Sequence, residues 1–434
     1  MMKNFTRRHV LMMLAILASA SISQVASALP IFARQTGASC NQCHFQGFPK
    51  LTAFGRSFKN SGFTMVGMQR KVEGEGLSIP ESLNFGVLTT AGIETVSNPD
   101  PANGIFDSTN TPGGGGELSI FYGGRVTPNI GFLTELGAAG AAVTSSAKMP
   151  IFFEVSPGTR AGVVLLTTDG QGAAHSFETL NTGAVGVQRM VPMGGVNSND
   201  AHIKVNSAAQ YLGTKTGAQG ASFVVNDEHY FVNVGKYAML NTDIGKNTRS
   251  SSMGMSYMRA AGLFDLAGFD SAIGVQMFRG DDAGFPDPAT GVAGIKTATD
   301  ATIIDGQMQG KVGNMPLGVY FSYGTAPAVN DANLPGGNHF NAGNVNTASS
   351  LNIAVQVGVV PKTTLMAAMR MAKNGAVDAV NTDNALMVGT TYEMAENVEA
   401  SLSYTTQSGS AWDSVGGVEP PGKTVTTLML EVLF

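Results

Sequence analysis

The sequence predicts an all-β chain: an outer-membrane antiparallel β-barrel of about 16 strands, with a small N-terminal helical module acting as its plug. Three observations predict it: a glycine-rich, weakly charged composition, ten-residue dyad repeats, and a charge division between the first 72 residues and the rest. The chain has 434 residues, 55 of them Gly, and only 13% are charged, where soluble domains carry about 25%. Mean hydropathy is slightly above zero. No run of 18 apolar residues follows the N-terminal segment, so no transmembrane helix is expected there. Such composition suits a membrane-spanning barrel; a large secreted β-sandwich or a β-helix would share it.

Residues 1–28 read as a secretory signal peptide. Lys3, Arg7 and Arg8 precede the apolar run Leu11 to Ala20, too short to span a bilayer, and Ala26-Ser27-Ala28 supplies an A-x-A cleavage site. Cleavage would leave Leu29 as the first residue. The Arg7-Arg8 pair hints at twin-arginine export, but a barrel precursor must cross the inner membrane unfolded, which favours the ordinary route.

The stretch Cys40-Asn41-Gln42-Cys43-His44 follows closely. Its C-x-x-C-H spacing is that of a c-type haem attachment site. Two thiols one helical turn apart add to the two haem vinyl groups, and His44 is placed as the proximal iron ligand. A zinc site would need two more ligands nearby, and the chain has no other cysteine. A thioredoxin-like pair would need a βαβ setting that the flanks do not offer. One c-type haem is therefore expected, on a monohaem cytochrome c module at residues 29–75, with the barrel at 76–434. Because c-type haem is attached outside the bacterial cytoplasm, haem-attachment and barrel-assembly machinery are expected partners.

Alternation supplies the strands. Val398, Ala400, Leu402 and Tyr404 alternate with Glu399, Ser401, Ser403 and Thr405. Leu118, Ile120, Tyr122 and Val126 oppose Glu117, Ser119 and Arg125. Ile304, Met308 and Val312 alternate with Asp305, Gln307, Gln309 and Lys311. About sixteen such segments fit between Ser82 and Phe434, Ile151 to Val155 being the weakest. Short turns at Pro128-Asn129, Gly313-Asn314, Pro361-Lys362 and Glu396-Asn397 contrast with long Gly/Asn/Asp/Pro-rich stretches near 96–116, 280–298, 325–349 and 408–423. Short turns at one end and long loops at the other is the outer-membrane arrangement. Tyr122, Tyr230, Tyr320, Tyr392 and Tyr404 would suit an aromatic girdle. The last strand ends on Phe434, with Leu428, Leu430 and Val432 as a lipid-facing row, and resembles a barrel-assembly signal.

From Leu29 to Val72 there are six basic residues (Arg34, Lys50, Arg56, Lys59, Arg70 and Lys71) and no acidic one. Beyond Val72 lie 17 of the 26 basic residues and all 31 acidic ones, a net −14. Opposite fields on tethered parts favour docking. A module of about 45 residues is also too small to bury a core alone, and haem plus a barrel wall would supply the burial. Some of the six would neutralise haem propionates.

Residues 29–65 carry a family resemblance. LPIFARQTG (29–37), CNQCH (40–44), FPKL (48–51), FGRSFK (54–59) and GFT (62–64) resemble the fused monohaem cytochrome c–porin family of outer-membrane iron oxidases. The barrel resembles that family in length, pattern and termination only. The resemblance implies oxidation of extracellular Fe(II), single electrons passing through the haem to a periplasmic cytochrome. Alternatives are an outer-membrane conduit for a non-iron donor, and a diffusion porin with a structural haem segment.

The distal iron ligand is open. Met65 and Met68 are the module candidates, since Pro30 to Val72 holds no other Met and no second His. Met ligation raises a haem potential, although a Met more often serves packing. Barrel histidines are the rivals: His202 on the polar face of a strand Ile203 to Tyr211, His229 opening another strand, and His175 and His339 as loop residues. No dedicated Fe(II) site is legible; Asp281-Asp282 in an outer loop would collect cations, though such pairs are usually just solvated. The sequence holds no Ser/His/Asp triad, P-loop or zinc set, and membrane lipid rather than nucleic acid is the expected surroundings.

Overall fold

The structure, a computed structural model, describes residues 30–103, 105–139, 142–181, 204–240, 253–284 and 294–434. The signal peptide and His202 lie outside the described residues.

Sixteen long antiparallel strands of 9 to 15 residues form a closed barrel. In chain order they are β1 (Phe85–Val96), β2 (Leu118–Thr127), β3 (Ile130–Ala139), β4 (Ala142–Ser156), β5 (Thr159–Thr168), β6 (Ala218–Asn226), β7 (Tyr230–Met239) and β8 (Met255–Leu266). There follow β9 (Phe269–Arg279), β10 (Ala301–Val312), β11 (Met315–Ala326), β12 (Ala348–Val360), β13 (Thr363–Lys373), β14 (Asn384–Ala395), β15 (Val398–Ser408) and β16 (Thr424–Leu433). Each pairs with its sequence neighbours, and β16 returns to β1 with Leu433 opposite Leu88. Phe434 completes the seam by exchanging two backbone hydrogen bonds with Val87, of 2.6 and 3.0 Å. Closure leaves no strand edge unpaired, the condition for a sheet to sit in hydrocarbon.

The faces are sorted as membrane physics requires. On β2, Ile120, Tyr122 and Val126 are exposed while Ser119 and Phe121 are buried. On β10, Ile304 and Val312 face out and Asp305, Gln307 and Gln309 face in; on β15, Leu402 and Tyr404 oppose Ser401, Ser403 and Thr405. Apolar outside and polar inside is the reverse of a soluble sandwich. Strands of about ten residues at ~3.3 Å each, tilted, match an apolar band ~25 Å tall. Among the described residues no helix is long and apolar enough to cross a membrane; the strands do the crossing.

The four predicted short turns join β2–β3, β10–β11, β12–β13 and β14–β15. The four predicted long stretches join β1–β2, β9–β10, β11–β12 and β15–β16 at the opposite end. One reading is extended and two need correction. Ile151 to Val155 is strand, as read, and forms the end of the 15-residue β4. Tyr320 faces the lumen, 2% exposed, because the parity of β11 turns it inward and Phe321 and Tyr323 outward. The segment up to Tyr211 is no strand: Val205 is fully buried, and Ala208–Tyr211 forms a helical turn in the lumen, capped by Ser207 and held by Ser322 Oγ, which accepts from Ala208 N at 2.8 Å.

Among the described residues, three short helices, α1 (Pro30–Thr36), α2 (Cys40–Cys43) and α3 (Ala53–Asn60), precede the barrel strands and pack against the barrel's inner wall. A small hairpin, Lys71–Gly74 with Leu77–Pro80, leads into β1. Basic and amide side chains of the module tie it to the barrel and the lumen loops. Arg56 donates twice to Asp270, at 2.7 and 2.8 Å. Lys59 donates to the Asn181 carbonyl at 2.7 Å, Asn60 to that of Asp227 at 2.8 Å, and Gln46 to that of Pro316 at 2.7 Å. Lys50 is 1% exposed and lies over the Tyr320 ring.

Candidate functional site

Local sequence builds the C-x-x-C-H segment into a rigid hook. Ser39 caps α2 in a capping box with Gln42, whose Oε1 accepts from Ser39 N at 2.8 Å. The turn closes when His44 N donates to the Cys40 carbonyl at 2.8 Å. The hook then ties to α3: Thr52 N donates to the Cys43 carbonyl at 3.0 Å, and the Thr52 hydroxyl to the Gln42 carbonyl. Gly55 makes this contact possible, since a Cβ there would lie 2.2 Å from the Cys43 carbonyl oxygen.

The hook faces a cavity inside the barrel. Module and barrel line it jointly. Phe32, Phe48, Phe58 and Phe63 come from the module, and Phe121 and Leu133 from β2 and β3. Phe32 stacks on Phe63 at 5.1 Å and meets Phe58 edge-on at 4.9 Å. The polar part of the wall is Lys59, Glu135, Ser146, Lys148, Gln171 and His175. Leu133 and Glu135 stand near the middle of β3, so the cavity lies within the membrane-spanning part of the barrel.

Protonation favours metal ligation by His44. Burial pushes its imidazole down to about 4; the Lys50 carbonyl opposes this, while the Lys50 and Lys59 charges add to it. Nδ1 sits 3.1 Å from the Lys50 carbonyl oxygen. A carbonyl only accepts, so the proton is on Nδ1 and the lone pair is left on Nε2. A ligating histidine is commonly oriented through its other nitrogen in this way. Burial, with Cys40 adding, pushes the Cys43 thiol up to about 11, the opposite of the low-pKa thiolate of a redox pair. Among the described residues no group of three His, Cys, Asp or Glu gathers to bind an ion.

These residues fit a c-type haem. Cys40 and Cys43 would form the thioethers, neutral His44 would supply Nε2 to the iron, and the aromatic wall would sheathe the macrocycle. Lys59 and Lys148 give cations for propionates. Burial drives Lys59 well below its ordinary value, reinforced by Lys148 and opposed by Glu178. A pair of carboxylates would restore its charge.

The other candidates are placed as follows. Met65 and Met68 are half-buried in the turn after α3, and neither is among the residues lining the cavity. His229 stands exposed in the turn before β7 beside Glu228. His339 lies in the β11–β12 loop, and Asp281-Asp282 pairs with Thr297–Ala298 beyond β9 at the long-loop end. His175 is a loop residue, as read, and its loop folds inward: it is 5% exposed and on the cavity wall. Glu135 and Lys148 went unnoticed, although strand parity would have placed both in the lumen.

A closed, even-stranded antiparallel barrel with an apolar exterior and a filled lumen defines an outer-membrane β-barrel protein of the Gram-negative type. No family model matches the chain, and no curated protein matches it. Among solved structures it is similar to a porin refined at 1.8 Å, with 10% identity and a TM-score of 0.45 over 81% of this chain and 100% of that one. It is also similar to OmpT of Vibrio cholerae in its trimer form, with 9% identity and a TM-score of 0.46 over 81% and 99%. A mutant Rh. blastica porin gives 13%, 0.44, 81% and 100%.

Proposed function

We propose that this is a monohaem electron-transfer protein of the outer membrane that oxidises extracellular Fe(II) and delivers single electrons to a periplasmic cytochrome. One observation carries the reading: Cys40, Cys43 and His44 face an aromatic cavity inside the lumen of a membrane-spanning barrel. A redox group on either surface would face ~30 Å of hydrocarbon; one held by this hook is already inside it. The bound haem would supply one-electron exchange, matched to the Fe(II)/Fe(III) couple and poorly matched to obligate two-electron donors.

The chain's own residues do the rest. The hook fixes the site to the module, and the Arg56–Asp270 pair fixes the module to the wall. The phenylalanines exclude water, which keeps reorganisation around the centre small. Long loops at one end give the outer donor access, and insoluble ferric product forms outside the cell. The resemblance of residues 29–65 to the cytochrome–porin iron oxidases supports iron as donor.

The test uses haem-loaded protein in liposomes enclosing oxidised soluble cytochrome c. External Fe(II) should reduce the enclosed cytochrome, and a Cys40→Ala/Cys43→Ala barrel should not. If the enclosed cytochrome is reduced equally through both barrels, Fe(II) is merely diffusing through a pore.

A further inference from the structure

We infer that His175, carried by the barrel, would serve beside His44 as a second imidazole ligand of the haem iron, so that plug and barrel would each contribute one ligand. The inference rests on the haem reading above. Of the residues lining the cavity, His44 and His175 are the two that carry imidazole, and Met65 and Met68 do not reach its wall. The wall also carries two lysines and one carboxylate, each hydrogen-bonded within the protein. Lys59 donates to the Asn181 carbonyl at 2.7 Å and Lys148 to the His175 carbonyl at 2.9 Å. Glu135 accepts from Ser119 at 3.1 Å and from Gln171 at 2.8 Å.

The segment presenting His175 is built to hold a side chain still. Gly172 turns the chain at φ 73°, and a Cβ there would lie 2.3 Å from the Thr214 carbonyl oxygen. His175 N donates back to the Gly172 carbonyl at 3.0 Å. Lys148 clamps the His175 carbonyl, and Asn233 Nδ2 donates to Ser176 Oγ at 2.8 Å and to the Phe177 carbonyl at 3.0 Å. Phe177 is wedged edge-on between Phe152 and Phe231, at 5.4 and 5.8 Å. Ligands for a cofactor are held in this manner, by packing and hydrogen bonds behind them. The division of labour also explains why a module with one histidine suffices: the barrel brings the second.

Bis-imidazole ligation sets the potential below that of a Met/His haem. That suits a donor at near-neutral pH, where loss of Fe(III) as insoluble hydroxide makes Fe(II) the stronger reductant.

The experiment is electronic absorption and EPR of the purified, haem-loaded protein with a potentiometric titration. Wild type should be six-coordinate and low-spin with a bis-imidazole EPR signature. His175→Ala should keep its covalent haem on a denaturing gel but turn high-spin, and added imidazole should restore the low-spin spectrum. His175→Met, close in size, should stay foldable, lose the bis-imidazole signature and titrate at a higher potential. A wild-type spectrum and potential in both His175 variants would overturn the assignment, as would a spectral change on Met65→Leu/Met68→Leu instead. No covalent haem in the wild type would overturn the haem reading itself, a failure the gel separates from the other two.

Discussion

Arg56 of the plug and Asp270 of β9 form a two-pronged ion pair, with Arg56 Nη2 2.7 and 2.8 Å from the two carboxylate oxygens. The Arg56 side chain is 7% exposed and that of Asp270 34%, so the pair is neither a weak surface contact nor a fully desolvated one. Breaking it from one side should cost about 1–3 kcal/mol of docking, between those two limits. Arg56→Glu should loosen the plug, and Arg56→Glu with Lys59→Glu should do so further, raising single-channel conductance in planar bilayers. The exchange Arg56→Asp with Asp270→Arg should bring conductance back towards wild type. Equal conductance in all four proteins would mean that the pair does not hold the plug.

Gly55, in the first turn of α3, is the point where that helix packs against the hook. Gly55→Ala would force its Cβ against the Cys43 carbonyl oxygen, and over-packing of this kind costs about 1–3 kcal/mol. Covalent haem per barrel should fall sharply while barrel assembly, read by heat-modifiable gel mobility, is unchanged. Wild-type haem loading would show that α3 yields without disturbing the hook.

The thiols themselves give a direct chemical test. Haem staining on a denaturing gel should vanish in Cys40→Ala/Cys43→Ala and weaken in either single change, where one thioether remains. A stain that survives the double change would sink covalent attachment at these positions.

Leu428 stands mid-strand on β16, 49% exposed on the lipid face. Leu428→Arg should destabilise the barrel by about 2–4 kcal/mol, measured as a lower urea midpoint for folding into lipid vesicles. Leu428→Phe should leave that midpoint nearly unchanged. An arginine tolerated as well as phenylalanine would mean that this face does not meet hydrocarbon.

The barrel was legible because each strand obeys one rule: Ile120, Ile304 and Leu402 face lipid, and their sequence neighbours face the lumen. Turn chemistry at Gly313-Asn314 and Pro361-Lys362 then fixed which end is which. The hook was legible because its C-x-x-C-H motif lies in five adjacent residues. The rest of the cavity was not, because it is assembled from chain segments far apart in sequence. His175 lies in the long β5–β6 connection, where no period applies, and it reaches the wall only because Gly172, Lys148 and Asn233 fold that connection inward. Tyr320 was misplaced for a simpler reason: a tyrosine near a strand end suits a girdle or a lumen equally, and only the register of β11 decides.

The central claim is that a single haem on Cys40 and Cys43 takes one electron from Fe(II), and anaerobic stopped-flow mixing of the oxidised protein with Fe(II) tests it most directly. The reduced c-type spectrum should appear, with one electron taken up per chain, and its rate should rise with Fe(II) concentration. A haem that stays oxidised with Fe(II) in excess, yet is reduced by a stronger non-iron donor, would contradict iron oxidation and leave the barrel as a conduit for another substrate.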